Sequence, residues 1–224
     1  MVSYLMSKVQ YALEKIESGS TDEGIAILQK LKKEANDETT LFQTAQAFFN
    51  YGFLDDALEI AEKLLERYPG DEELILFTAE WWIDLGNDLK ALELLHSIDE
   101  TSEHHLSKLL LLADLYQTQG LEEVAESKLL EAQELNPTEP IIWYALAQFY
   151  LSQANYYKAS LFFEKIMKDD NPFSTDPIVQ LNFAETLSML GHFEKALPYF
   201  QKGLQSDQDL DGLFRYGLTA YKAN

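Results

Sequence analysis

A short phrase of small residues returns along this chain at an almost constant interval, and no other feature narrows its folding as much. Glycines stand at Gly19, Gly52, Gly86, Gly120 and Gly191, with Ala154 in that place once, so successive spacings are 33, 34, 34, 34 and 37 residues. Seven residues before each of them stands an alanine: Ala12, Ala45, Ala79, Ala113, Ala147 and Ala184. Five residues after each stands another, Ala57, Ala91, Ala125, Ala159 and Ala196, replaced by Gly24 in the first copy. A period of this length marks a repeat array, in which one supersecondary unit is too small to bury its apolar face and must stack on its neighbours.

The clearest copy is LSKLLLLADLYQTQGLEEVAESKLLEAQELNPTE, residues 106–139. Its apolar positions follow the helical period twice: Leu109, Leu112, Ala113 and Tyr116 share one face, and Ala125, Leu129 and Ala132 share another. Gly120 lies between them, where a tight helix-to-helix turn needs conformational freedom. Pro137 closes the unit because proline cannot continue a helix, and Pro69 stands at the equivalent place in the second copy. The alanines read as points of close approach, where larger side chains would force paired helices apart.

Small residues at the eighth and twentieth positions, an aromatic at the eleventh (Phe48, Trp82, Tyr116, Tyr150) and a proline at the thirty-second resemble the tetratricopeptide repeat family. The stretch PIIWYALAQFY keeps the family's full opening through Trp143, Leu146, Ala147 and Tyr150. The resemblance implies an all-α, right-handed α-solenoid of helix-turn-helix repeats. It covers the whole chain as one array, with repeats at about 5–37, 38–71, 72–105, 106–139, 140–176 and 177–210 and part of a seventh at 211–224. Overall the chain is similar to tetratricopeptide proteins of Gram-positive bacteria.

Departures from the pattern carry expectations of their own. The first copy is degenerate, with Lys15 at the aromatic position and Gly24 for alanine, as befits a terminal repeat. The third has a short second helix, because SIDETSEHH is poor in helix formers. The fifth runs three residues long and predicts a loop over 171–177. Leu213, Tyr216, Leu218 and Tyr221 are too apolar for a solvated cap, so the last copy reads as a repeat cut at Asn224.

Composition removes several function classes. With 38 acidic and 17 basic residues the formal charge is −21, which repels phosphate backbones and anionic headgroups; nucleic acid and membrane are not expected partners. There is no cysteine, hence no disulfide, thiolate metal site or cysteine nucleophile. The amphipathic N-terminus lacks the pattern of a signal peptide and no segment is apolar enough for a membrane span, so a cytoplasmic location is expected. No phosphate-binding glycine loop, HExxH or GxSxG motif appears. His104 and His105 are adjacent, a poor chelating geometry, and read as a solvated loop pair; His192 reads as a capping or packing residue. The chain is therefore expected to be no enzyme and to hold neither metal nor cofactor.

Function should lie on the surface that packing leaves free. A helical wheel of each first helix buries positions four, seven, eight and eleven and turns positions two, five, nine and twelve, flanked by six and thirteen, the other way. The resemblance implies that this stripe lines a concave groove for an extended or helical peptide. Of its 36 positions in six repeats none is Lys or Arg, where the chain's composition would place about three. Members of the family that grip a chaperone's C-terminal carboxylate use basic residues there, so such a clamp is excluded; Arg215 and Lys222 in the seventh copy are the basic residues at stripe positions.

Half of the stripe is apolar, Val9, Ile16, Phe42 and Ile178 included, and an exposed apolar stripe marks a binding site. The candidate groove comprises Gln46, Phe49, Asn50, Leu76, Glu80, Ile83 and Asp84, then Leu110, Asp114, Gln117, Tyr144, Gln148, Leu151, Leu181 and Glu185. Its amides could hydrogen-bond a ligand backbone and its apolar members anchor side chains. The reading is a non-catalytic protein–protein interaction scaffold, binding a protein or peptide with apolar anchors and some basic residues. Two alternatives stay open: a receptor or regulatory module for a peptide signal, and the repeat portion of a larger enzyme. Within AEWWIDLG, Trp82 at position eleven is expected to be buried between paired helices, and Trp81 to lie against a neighbouring repeat.

Overall fold

Six helix-to-helix connections are closed by one recurring turn. At Gly120 the backbone takes φ +72°, its N–H donates to the Gln117 carbonyl at 3.0 Å, and the Leu121 N–H donates to the Tyr116 carbonyl at 2.8 Å. This bond pair is the Schellman closure, which satisfies carbonyls that a helix end leaves orphaned. A Cβ is penalised in the left-handed region, and five of the six copies use glycine there, with φ between +71° and +91°. Ala154 is the exception. It adopts φ +52° and keeps both bonds, Ala154 N–H to Leu151 and Asn155 N–H to Tyr150, each 2.9 Å.

The computed structural model describes residues 2–168, 171–204 and 210–223, with side chains from residue 8 onward and Leu210's left out. Asn224, where the last repeat reads as cut, lies outside them. The described residues form thirteen helices and no strand. They run α1 Val2–Glu17, α2 Thr21–Glu34, α3 Glu38–Asn50, α4 Leu54–Arg67, α5 Glu72–Asp84, α6 Asp88–His96 and α7 His105–Thr118. They continue with α8 Glu122–Leu135, α9 Pro140–Ser152, α10 Tyr156–Ile166, α11 Pro177–Met189, α12 Phe193–Gly203 and α13 Leu210–Ala223. The chain forms two compact units, Met1–Leu111 and Leu112–Asn224.

In the first unit α1 packs on α2 and α3, α3 on α4, α4 on α5 and α5 on α6; in the second, α8 packs on α9, and α9, α10, α11, α12 and α13 follow in turn, each on the helix before it. The alanines at the eighth and twentieth repeat positions are sealed, none above 2 % exposed, as close helix approach demands. Gly24 belongs with them. A Cβ there would fall 2.5 Å from Ile16 Cγ1 and 2.6 Å from the Ala12 carbonyl oxygen. The first repeat is thus no loosened copy: the missing methyl is the space that Ile16 fills.

Local irregularities have local causes. The second helix of the third repeat, α6, has nine residues and is followed by turns braced by Lys108, whose Nζ donates to the Ile98 carbonyl at 2.7 Å. His105 opens α7 and is buried and His104 half-buried, against the expectation of a solvated pair. The long fifth repeat forms an ordered loop. Asn171 Oδ1 accepts from the Phe173 N–H at 2.9 Å, and Asp176 caps α11 by accepting from the Ile178 and Val179 N–H groups at 2.8 and 3.1 Å. His192 precedes α12 without a side-chain cap bond.

Trp81 is buried and stacks on Phe49 of the preceding repeat, centroids 4.9 Å apart and planes 14° from parallel. Trp82, expected to be buried, is only half-buried, with Lys90 Nζ 3.9 Å from its ring centroid. Lys90, in the first turn of α6, lies over that ring as Lys158 lies over Tyr150, Nζ 4.5 Å from its centroid.

Candidate functional site

In the first unit the stripe is built on α3 and α5, with Leu110 from α7. Asp37 and Asp71 fix where α3 and α5 begin, accepting from the Thr40 and Leu74 N–H groups at 2.8 and 3.0 Å. The helices are then tied laterally by rings: Phe42 meets Phe77 edge-on at 5.1 Å, and Phe49 lies on Trp81. Offset and edge contacts of this kind are favourable beyond burial alone. They also use up surface, since Phe42 and Phe49 emerge half-buried. Val9 and Ile16, read as groove residues, are buried at 4 % and 8 % exposure and belong to the core. Ile16 turns inward because Gly24 offers room.

Gln46, Leu76, Ile83 and Leu110 are half-buried or nearly so, while Asn50, Glu80 and Asp84 are exposed. Glu80 and Asp84 stand one helical turn apart on the same face of α5. Beside Phe42, at the starts of α3 and α5, a cavity of about 160 Å³ is lined by Glu38, Asp71, Glu73 and Leu74. Burial, and next the hydrogen bond and repulsion of Asp71, raise the Glu38 carboxyl above its ordinary pKa. Carboxylates crowded like this favour an arriving cation.

In the second unit the stripe is largely engaged by the protein itself. Gln117 Nε2 donates to Ser152 Oγ at 2.8 Å. Tyr144 is stacked by Phe173 from the inserted loop, centroids 5.3 Å apart and planes within 7°. Leu181 leans on α12 at Gly203, where a Cβ would come 2.6 Å from its Cγ. Glu185 pairs with Arg215, which also reaches Asp211. Gln148 and Leu151 are half-buried and Asp114 is exposed; Ile178 and Met189, at 62 % and 56 % exposure, are the apolar residues most open to water on this stripe. Phe173 had no place in the 34-residue frame because it sits in the insertion. Its signal was an aromatic flanked by the turn formers Asn171 and Asp176.

Deeper in this unit the Tyr150 hydroxyl donates to Glu126 Oε1 at 2.6 Å, and Lys158 Nζ reaches the same oxygen at 3.0 Å. Those two bonds, tyrosine's first, lower the Glu126 carboxyl pKa, while burial and then Glu126 raise that of Tyr150. The triad clamps α8, α9 and α10 and is structural. Among the described residues no three His, Cys, Asp or Glu side chains cluster as metal ligands, and no helix is long and apolar enough to cross a membrane.

Helix pairs phased by left-handed turns, packed through alanines and stacked by aromatics define a tetratricopeptide-repeat protein, and the chain is one. A family model described as YpiA-like, tetratricopeptide repeats, matches residues 117–171. Over 215 residues the chain is 36 % identical to TPR repeat-containing protein YpiA of Bacillus subtilis (strain 168), a match covering 96 % of this chain and 50 % of that protein. The chain therefore spans about half the length of that relative.

Among solved structures, a tetratricopeptide repeat protein from Parabacteroides merdae ATCC 43184 aligns with TM-score 0.75 at 18 % identity, covering 96 % of this chain and 84 % of that one. A thermophilic tetratricopeptide protein of Thermus thermophilus aligns with TM-score 0.64 at 22 % identity, covering 83 % and 100 %. PilW, a type IV pilus biogenesis factor, aligns with TM-score 0.69 at 17 % identity, covering 95 % and 97 %. At these identities the likeness is one of fold, an α-solenoid of the tetratricopeptide type.

Proposed function

We propose that the chain is a non-catalytic scaffold, one tetratricopeptide array, that docks an extended or helical segment of a partner protein on the α3–α5 stripe of its first unit. The observation carrying this reading is the pairing of exposed Glu80 and Asp84 with half-buried Leu76 and Ile83 on one helix face. Apolar anchors would supply affinity there, and the two acids would select a partner with basic residues. The acidic cavity beside Phe42 lies at the start of the same helices and would take a lysine or arginine side chain.

The test is capture from lysate of the source cells, with bound proteins identified by mass spectrometry. Glu80→Lys combined with Asp84→Lys is expected to abolish capture while leaving the thermal transition within about 2 °C, because exposed surface changes rarely exceed ~0.5 kcal/mol. Unaltered capture by that variant would refute the proposal.

A further inference from the structure

One surface runs against the charge of the whole molecule. At the C-terminal ends of α2 and α4, the second helices of the first two repeats, lies a cleft of about 530 Å³, which shares Leu64 with the acidic cavity beside Phe42. That volume is typical of ligand-binding sites. Its wall of eleven residues carries Lys32, Lys33, Lys63 and Arg67 against a single carboxylate, Glu59. In a chain of 17 basic residues among 224, about one cation would fall in such a wall by composition.

Cations in a last helical turn complement the helix dipole, which accounts for Lys32, Lys33 and Arg67 singly. It does not account for Lys63 or for the convergence of all four on one cavity, since the last turns of α10 and α12 carry one lysine each and that of α8 none. The cleft is organised as well as charged. Lys32 Nζ is bound by Asp56 Oδ1 at 2.6 Å and by Glu59, and Lys63 Nζ by Glu59 Oε1 at 2.6 Å. Those bonds hold two cations in place. Lys33 and Arg67 are exposed and make no ion pair among the described residues. The floor is apolar, formed by buried Leu41, Ile60 and Leu64.

We propose that this cleft is a second docking site, distinct from the Glu80–Asp84 face of the stripe, for a short acidic peptide segment bearing an apolar anchor. The anchor would rest on Leu41, Ile60 and Leu64, and its carboxylates would pair with Lys33 and Arg67. Ligand size follows from electrostatics. At physiological salt, charges interact over roughly 8 Å, so a short acidic segment feels mainly the cationic rim. A nucleic acid or an anionic membrane extends past the rim onto a protein of net charge −21 and is repelled. A bare inorganic anion would leave the apolar floor unused.

Fluorescence anisotropy tests this with the full chain and a fluorescein-labelled, end-capped nonapeptide of alternating leucine and glutamate, at low and at physiological salt. Saturable binding that weakens with salt is expected. It should fall about tenfold or more, some 1.4 kcal/mol or beyond, when glutamine replaces the peptide's glutamates, and similarly when serine replaces its leucines. Lys33→Glu with Arg67→Glu should abolish binding, and the milder Lys33→Gln with Arg67→Gln should weaken it, both with thermal transitions close to that of the parent. Glu80→Lys with Asp84→Lys should leave peptide binding no weaker, which separates this site from the stripe. Absence of saturable binding up to about 1 mM, some −4 kcal/mol, would overturn the proposal. Binding unaffected by the Lys33 and Arg67 variants would do so too, as would tighter binding of a single-stranded oligonucleotide or phosphatidylserine vesicles than of the peptide.

Discussion

Replacing Ala154 with glycine should make this protein more stable, although it deletes a methyl group. Ala154 stands alone among the described non-glycine residues at positive φ. An L-residue in the left-handed region costs about 1–2 kcal/mol. Glycine removes that cost but brings more freedom in the unfolded chain, a loss of about 0.5–1 kcal/mol. Ala154 is exposed, so no buried surface is lost, and both turn hydrogen bonds come from backbone that glycine retains. The net gain is about 0.5–1 kcal/mol, which with an m-value of about 2 kcal/mol/M raises the urea midpoint by roughly 0.3–0.5 M.

Gly120→Ala is the mirror experiment. Nothing lies within 4 Å of a Cβ built at Gly120, so its penalty is purely one of backbone conformation and the midpoint should fall by a similar amount. Both turns lie in the second unit, where Trp143 is the one tryptophan and its fluorescence can be compared with far-UV circular dichroism. A lower midpoint for Ala154→Gly at unchanged m, or a higher one for Gly120→Ala, would refute the account of the turn.

At the other small-residue position the penalty for an added methyl is steric rather than conformational. Gly24→Ala should cost about 1–3 kcal/mol as overpacking, and Ile16→Val in the same background should recover part of it; a neutral Gly24→Ala by urea denaturation would disprove the fit between the two. The Glu59 carboxyl is lowered to about 2, first by its hydrogen bond from Lys32 and next by that from Lys63. Because its folded value lies below the unfolded one, its contribution is present above roughly pH 4.3 and is lost as pH falls toward 2. The parent should therefore lose stability across that window more steeply than Glu59→Gln, and parallel pH profiles of the thermal midpoint would count against the network. Glu59 is half-exposed, so the difference at neutral pH should be small.

The candidate site was legible to different depths in its two halves. Exposed Glu80 and Asp84, and Leu76 and Ile83 beside them, follow from the helical period, because α5 is regular and a wheel projects each side chain where it stands. Ile16 was misread because its direction depends on Gly24, a residue on another helix. Glu185 read as an open acid because its partner, Arg215, comes from the following repeat. The stacking of Phe173 on Tyr144 was invisible because the insertion breaks the phase that every other inference used. The cationic cleft escaped the same frame: its rim residues belong to second helices, whose outward faces the repeat pattern leaves unassigned.

What the sequence by itself determined is everything that depends on separations within one repeat. Glycine every 34 residues sets the left-handed turns, and alanines seven before and five after set how closely the two helices approach. Aspartates ahead of α3, α5 and α11 set where those helices begin. These are local constraints of backbone conformation and side-chain size, so residue type and spacing suffice to state them. Only the tertiary structure decided which outward residues stay open: Phe49 covered by Trp81, Tyr144 by Phe173, Glu185 by Arg215, and Lys33 and Arg67 left facing a cleft. Those outcomes depend on side chains brought together from different repeats, and exposure is a property of the assembled surface that no periodicity within one helix encodes.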